Sequence, residues 1–201
     1  MRLSTRPGLL LLAVALFLYG AYGWWQDRPV STGPGVIAPA SPVQETLADA
    51  KPFPHGEFRL TPRARFEVEA RVLGRETYRF DEGADLAPVD LALGWGPMSD
   101  ATVLEYLTIR QSGRFYRWRA EQLPIPRREI ERNSANMHLI PSRDGIHDRL
   151  AALRPGHVVR FSGYLVDAER ADGWRWRTSL TRDDTGNGAC ELVWVEDLAI
   201  R

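Results

Sequence analysis

Cysteine is nearly missing from this sequence of 201 residues: Cys190 is the only one. That excludes an intramolecular disulfide framework and a metal cage built from cysteines alone. Lysine is nearly missing too. Lys51 stands alone, so 25 of the 26 basic residues are arginine, a bias that a GC-rich genome explains better than a chosen chemistry. Net charge is lacking, because 26 acidic residues balance those 26 basic ones. Neither a strongly basic nucleic-acid binder nor an acidic disordered tail fits that balance. The sequence has no G-x-S-x-G elbow, no G-x-x-x-x-G-K-[ST] phosphate loop and no G-x-G-x-x-G turn. The commonest hydrolase and nucleotide-binding signatures are therefore absent. What remains is ordinary globular composition, 44% apolar and 26% charged. The length suits one domain of about 100–150 residues with appendages.

The first appendage is residues 1–28. Arg2 and Arg6 precede an apolar run from Leu9 to Trp25, and no side chain from Leu9 to Leu18 is polar. As a helix this run reaches roughly 25 Å, the short end of a bilayer core. Tyr19, Tyr22, Trp24 and Trp25 gather at its far end, where the headgroup layer favours amphipathic rings. The segment reads as a signal anchor, an N-terminal membrane helix with the arginines inside and the remainder exported. A cleaved signal peptide, cut near Ala21-Tyr22-Gly23, is the competing reading. Residues 29–56 follow, with Pro29, Pro34, Pro39, Pro42, Pro52 and Pro54 among small polar residues. This composition predicts a Pro-rich linker, with one helical turn at most over Val43–Ala50.

From residue 57 to 201 the pattern predicts a β-rich exported domain. Phe66, Val68, Ala70 and Val72 alternate with Glu67, Glu69 and Arg71, a half-buried strand that Gly74 is expected to break. Thr77–Phe80 reads as a second strand, and apolar residues fill Leu86–Leu93. Asp100 or Ser99 can cap a short helix, and Leu107–Gln111 with Arg114–Arg119 reads as a hairpin. Asn133–Asn136 reads as a loop, and Asp144 as the start of a helix carrying Ile146, Leu150 and Leu153. Three strands follow, Val158–Val166, Trp174–Thr181 and Cys190–Leu198. The expected fold class is mainly β (β-rich α+β). An antiparallel OB-like barrel or a compact sandwich, with one or two short helices, fits it.

The helix from Asp144 followed by strands, with a glycine in Gly156–Val166, resembles an OB-like barrel in its C-terminal part. A wider resemblance rests on Asp90–Gly96, Ser134–Pro141 and Gly163–Val166. Together these stretches resemble an uncharacterised family of membrane-anchored bacterial envelope proteins. The resemblance implies a single pass of the bacterial inner membrane with a periplasmic domain. It brings no activity with it.

His138 is the most pointed chemical candidate, because amide and hydroxyl neighbours at Asn133, Ser134 and Asn136 can fix one tautomer. A carboxylate such as Asp90 or Asp144 would complete an acid–base pair. Trp95, between two glycines, reads as a partly exposed corner. With Asn136 and His138 it forms the candidate binding set. His138, His147 and His157 lack metal-ligand spacing, so neither a metal nor another cofactor is expected. Cys190, in a predicted strand, reads as a small packing residue. Arg117 and Arg119 alternate with Tyr116 and Trp118, and Arg175 and Arg177 with Trp174 and Trp176. Burying the rings and exposing the arginines is the cheaper arrangement. Glu191 is expected to neutralise that surface locally, so no nucleic-acid groove results. The reading favoured by the sequence is a membrane-tethered module that binds a protein or another envelope component. A hydrolase-like envelope enzyme using His138 is the alternative.

Overall fold

The computed structural model describes residues 7–26, 28–181 and 190–201. Strands dominate, and β3 (Phe58–Thr77) is the organising element at 20 residues. It pairs antiparallel with β4 (Val89–Gly94) and with β8 (Val158–Arg170). β4 pairs antiparallel with β7 (Ser134–Pro141), and β7 runs parallel to β10 (Glu191–Ile200). β10 returns antiparallel to β8. Following the pairings from β3 through β4, β7, β10 and β8 leads back to β3, so these five strands close a ring. The helix α4 (Asp144–Ala151) joins β7 to β8 and sends Ile146 and Leu150 into the ring's interior core.

A single irregularity lets β3 serve two apolar layers. Phe58 and Leu60 belong to an outer layer with Leu86, Ile140, Val166 and Leu192. Ala64, Phe66, Val68, Ala70 and Val72 belong to the interior. The register with β8 shifts between Pro62 and Ala64, so Arg63 is an extra residue. One extra residue reverses the face on which later side chains fall. The same bulge accommodates Pro62, which has no amide hydrogen to give to a ladder. Gly74 does not end the strand as expected. It follows a second bulge, between Val72 and Gly74, and β3 runs on to Thr77. Tyr78 and Phe80 lie beyond its end, so no strand spans Thr77–Phe80. Gly163 faces the Trp194 carbonyl so closely that a methyl group there would collide with it.

Three further expectations are corrected. Ser134 and Asn136 are in β7, not a loop, because they pair with Gly94 and Ala92 of β4. Trp95 is 1% exposed and packs in the interior core, since its amide is bound to the Asn133 carbonyl and draws the corner inward. Residues 29–56 are docked, not extended. β1 (Val43–Thr46) pairs with β3 where a helical turn was expected, and β2 (Phe53–His55) pairs with β3 as well. Val30 N–H donates to the Pro155 carbonyl at 2.7 Å, and Gly35 N–H to Asp100 Oδ1 at 2.9 Å. Several amides of this stretch find acceptors on the domain, as buried backbone donors require.

The helix α1 (Pro7–Gln26) carries the N-terminal run, and Leu9, Leu11 and Phe17 are exposed. Among the described residues no helix is long and apolar enough to cross a membrane. Arg2 and Arg6 lie outside the described residues.

Ser99 ties the docked segment down. Its buried hydroxyl accepts from Ile37 N–H at 3.2 Å and Ala38 N–H at 3.1 Å, and donates to the Gly96 carbonyl at 2.7 Å. Ser99→Ala is expected to cost about 1–3 kcal/mol by orphaning two amides. Urea denaturation measures the loss, and limited proteolysis should show new cleavage between residues 30 and 42.

Candidate functional site

The register of β4 and β7 places Asp90 directly opposite His138, and Ala92 opposite Asn136. Cross-strand partners share a face, so Asp90, Asn136 and His138 converge on the outer side of the sheet. The hairpin of β5 (Thr108–Ser112) and β6 (Phe115–Arg119) leans over them. Its two loop residues, Gly113 and Arg114, have φ of 59° and 71°. A two-residue turn with both φ positive matches the twist of a hairpin, and Gly113 takes that conformation freely. Arg114 does not. An arginine held there costs on the order of 1 kcal/mol, which its side chain must offset.

It does so through every polar atom. Arg114 Nη1 donates to Asp90 Oδ1 at 2.8 Å and to the Ala87 carbonyl at 2.7 Å. Its Nε and Nη2 grip Asp81 as a fork, at 2.9 and 2.7 Å. Its backbone N–H donates to Tyr78 Oη at 2.9 Å, and its carbonyl accepts from Asn136 Nδ2 at 3.1 Å. The guanidinium lies over the Tyr78 ring, 3.7 Å from the centroid. Gln111 Nε2 completes the set by donating to Asn136 Oδ1 at 2.8 Å. Burial works to raise the carboxyl of Asp81, but Arg114 and the N–H groups of Gly83 and Ala84 outweigh it and hold that carboxyl below its ordinary range. Burial raises the phenol of Tyr78.

His138 Nδ1 lies 2.9 Å from Asp90 Oδ2. Nδ1 has no hydrogen-bond partner, so the contact is a close approach and not a formed hydrogen bond. The Trp176 ring covers the imidazole with centroids 4.6 Å apart. Trp176 belongs to the two-residue β9 (Arg175–Trp176) and fits against Gly83, where a methyl group would meet its ring. Asp90 is 0% exposed and His138 2%. A general base must reach the proton it removes, and here the pair is sealed. The arrangement is suited to clamping three segments together: the 78–88 loop, the hairpin tip and the stretch around Trp176.

The other candidates lie elsewhere. Asp144 stands at the start of α4 and, with His55, Asp85 and His147, lines a surface cavity of about 410 Å³ that does not include His138. Burial lowers the pKa of His55. Among the described residues no group of three His, Cys, Asp or Glu side chains is placed to hold a metal ion. Cys190 Sγ sits 3.9 Å from the Arg114 carbonyl, at the edge of the cluster. Arg117, Arg119, Arg175 and Arg177 are exposed, and Arg175 pairs with Glu169 at 3.4 Å. Glu191 does not neutralise that surface. It is 3% exposed, because the parallel register with β7 turns it inward with Val193 and Val195. Sequence reasoning passed over Arg114, Gln111, Tyr78 and Trp176. The one local signal was Gly113-Arg114 at a hairpin tip.

Compared with protein-family models, curated proteins and solved structures, the chain matches none.

Two predictions test the clamp. Arg114→Ala leaves Asp90 buried without its guanidinium and keeps the strained backbone. It should cost about 3–5 kcal/mol. Arg114→Gly removes the same side chain but relieves the backbone, and should be less destabilised by about 1 kcal/mol. Chemical denaturation of both variants checks the order. The hairpin's other attachment is Tyr116 Oη, 2.6 Å from Ser134 Oγ. Burial pushes Tyr116 up to about 12, opposed by the Ser134 bond and reinforced by the charge of Glu131. A raised phenol stabilises the fold fully below its unfolded value of 10.0 and loses that contribution as pH rises toward 12. The stability gap between wild type and Tyr116→Phe should therefore shrink by on the order of 2 kcal/mol from pH 9 to 11.5, as measured by urea denaturation.

Proposed function

We propose that this chain is a membrane-tethered, extracytoplasmic binding or assembly module of the bacterial envelope, built on an OB-like barrel. The observation that carries the reading is the burial of its acid–base residues. Asp90 and His138 are closed beneath Trp176, and Asp90 is engaged by Arg114 in holding loops together, which leaves the outer surface as the working part.

Ring order supports the OB-like reading. Numbered within the ring, the strands run first, second, third, fifth, fourth and back to the first, with a helix between third and fourth. The third and fifth strands are the parallel pair. That order is what a five-stranded Greek-key barrel would require, and it supports the reading. In this reading the 78–88 loop and residues 171–181 after β8 are counterparts of the loops with which such barrels bind ligands. The tether reading draws on the uninterrupted apolar run, the exposed leucines of α1 and the two arginines before them. The resemblance on Asp90–Gly96, Ser134–Pro141 and Gly163–Val166 points to the same compartment. Because Val30 is already bonded to the domain, only residues 27–29 separate α1 from it. In this reading the domain rests at the membrane surface.

A second reading, an envelope hydrolase, is favoured by one observation, the 2.9 Å approach of Asp90 to His138. It requires Trp176 to leave.

One experiment separates the two. Native membranes are treated with a cross-linker, and the full chain is compared with His138→Gln. The chain should resist carbonate extraction and give a discrete adduct that persists in the variant. An adduct lost in a folded His138→Gln protein would favour the enzyme. A mature protein that begins at Trp24 would overturn the tether.

A further inference from the structure

The clamp has an outward product. Tyr78 and Asp81 are both fastened to Arg114, by the phenol oxygen and by the carboxylate fork. Between them stand Arg79 and Phe80, and Phe80 is 98% exposed. Loop tips ordinarily carry small polar residues. A single exposed apolar residue is unremarkable by itself, but this one is held at both flanks by contacts to Arg114, whose side chain is largely buried. A rigid aromatic side chain in open solvent loses little entropy when it enters a socket.

The same molecule carries a socket of matching chemistry. Tyr164 and Trp194 are cross-strand neighbours on β8 and β10. With Phe53, Pro62, Arg65 and Glu196 they line a groove of about 420 Å³. Phe53 and His55 pack edge-on against Trp194, at 5.2 and 4.8 Å between centroids, and fix its orientation. Arg65 lies over Tyr164. Glu196 is the extra residue at the β10 bulge, between Val195 and Asp197, which puts its side chain on the rim. Among the described residues, Arg79 beside the knob is a cation with no ion-pair partner, and Glu196 is an anion with none.

We propose that Phe80 of one copy seats in the Tyr164–Trp194 groove of a second copy, with Arg79 meeting Glu196 across the contact. The inference rests on the reading of the chain as a binding or assembly module and names the partner: the chain itself. An aromatic knob fills an aromatic socket, and opposite charges beside each fix the register.

The test uses the full chain in detergent micelles, studied by sedimentation velocity across the micromolar range. Wild type should show a concentration-dependent dimer or larger species. Phe80→Ala, at a fully exposed position, should keep the native circular dichroism spectrum and weaken association at least about tenfold. Arg79→Glu and Glu196→Arg each place like charges together and should dissociate the assembly. Mixing those two variants restores an opposite-charge contact and should restore association. A chain that stays monomeric at every concentration overturns the proposal, as does association indifferent to Phe80→Ala or a mixture that fails to reassociate. If self-association is absent while the native-membrane adduct persists with another protein, the module reading stands and this inference alone falls.

Discussion

One guanidinium holds the outer face of this protein together. Arg114 satisfies a fully buried carboxylate, a half-exposed carboxylate and a backbone carbonyl at once. Lysine could not replace it, because a single ammonium cannot present a fork to Asp81 while reaching Asp90 and Ala87. The dependence runs both ways. Asp90 has no exposure, so without Arg114 its charge would be stranded in an apolar layer. The left-handed backbone at position 114 persists because the side chain it aims has so many partners. Three chain segments distant in sequence therefore meet at one residue, and the hairpin's placement on β7 follows from it.

The fold that presents this residue depends on where extra residues fall in the strands. An uninterrupted β3 would send its alternate side chains to one face along its whole length. Arg63 breaks that parity, so Leu60 looks outward and Phe66 inward. β10 uses the same device at Glu196. The two bulged strands are both neighbours of β8, whose Gly163 lets the Trp194 carbonyl approach. Curvature, closure of the ring and a second apolar layer thus share a cause in the local twist that bulges add.

This division explains what could be read from the residues. The alternation of Phe66–Val72 was legible because one face there is buried and the other is charged. The hairpin and the helix from Asp144 were legible because turn and cap residues act locally. Asn133–Asn136 was misread because polarity was taken as a sign of a loop. Asn136 is polar because it faces a polar cluster, and the period of two in Asn136, His138 and Ile140 was the better signal. The docked 29–56 segment was opaque, since its acceptors lie on residues such as Ser99 and Pro155, far away in the chain. Asp90, Asn136 and His138 could be named singly as polar residues in apolar surroundings. Their meeting is a product of register between β4 and β7, which no short window contains. Arg114 reads from the sequence only as the first residue of a hairpin strand, because nothing local distinguishes a clamp from a solvated charge. Trp95 was misplaced for the same reason: flanking glycines describe a corner and not the direction in which it turns.

The energetics of the cover decide between a clamp and a working acid–base pair. Trp176 buries a large ring over His138 and Gly83, and lifting it returns that area to water at a cost of roughly 2–3 kcal/mol. The displaced ring would also part from the Arg114 guanidinium, whose centre lies 5.4 Å from it, forfeiting about 1 kcal/mol more. A cost near 4 kcal/mol leaves about one molecule in a thousand open. An enzyme can work from such a minor state only if its substrate replaces the interactions given up, and beneath the cover His138 Nδ1 has no hydrogen bond while its neighbours are already engaged. Asp90 is committed to Arg114, and Asn136 to Gln111 and the Arg114 carbonyl. A ligand entering there would have to break polar contacts already made in a low-dielectric setting, where each counts for more than at the surface. The Arg114 network thus sets the energetic cost of reaching His138, and any ligand that did so would have to compete with the contacts of Asp90 and Asn136.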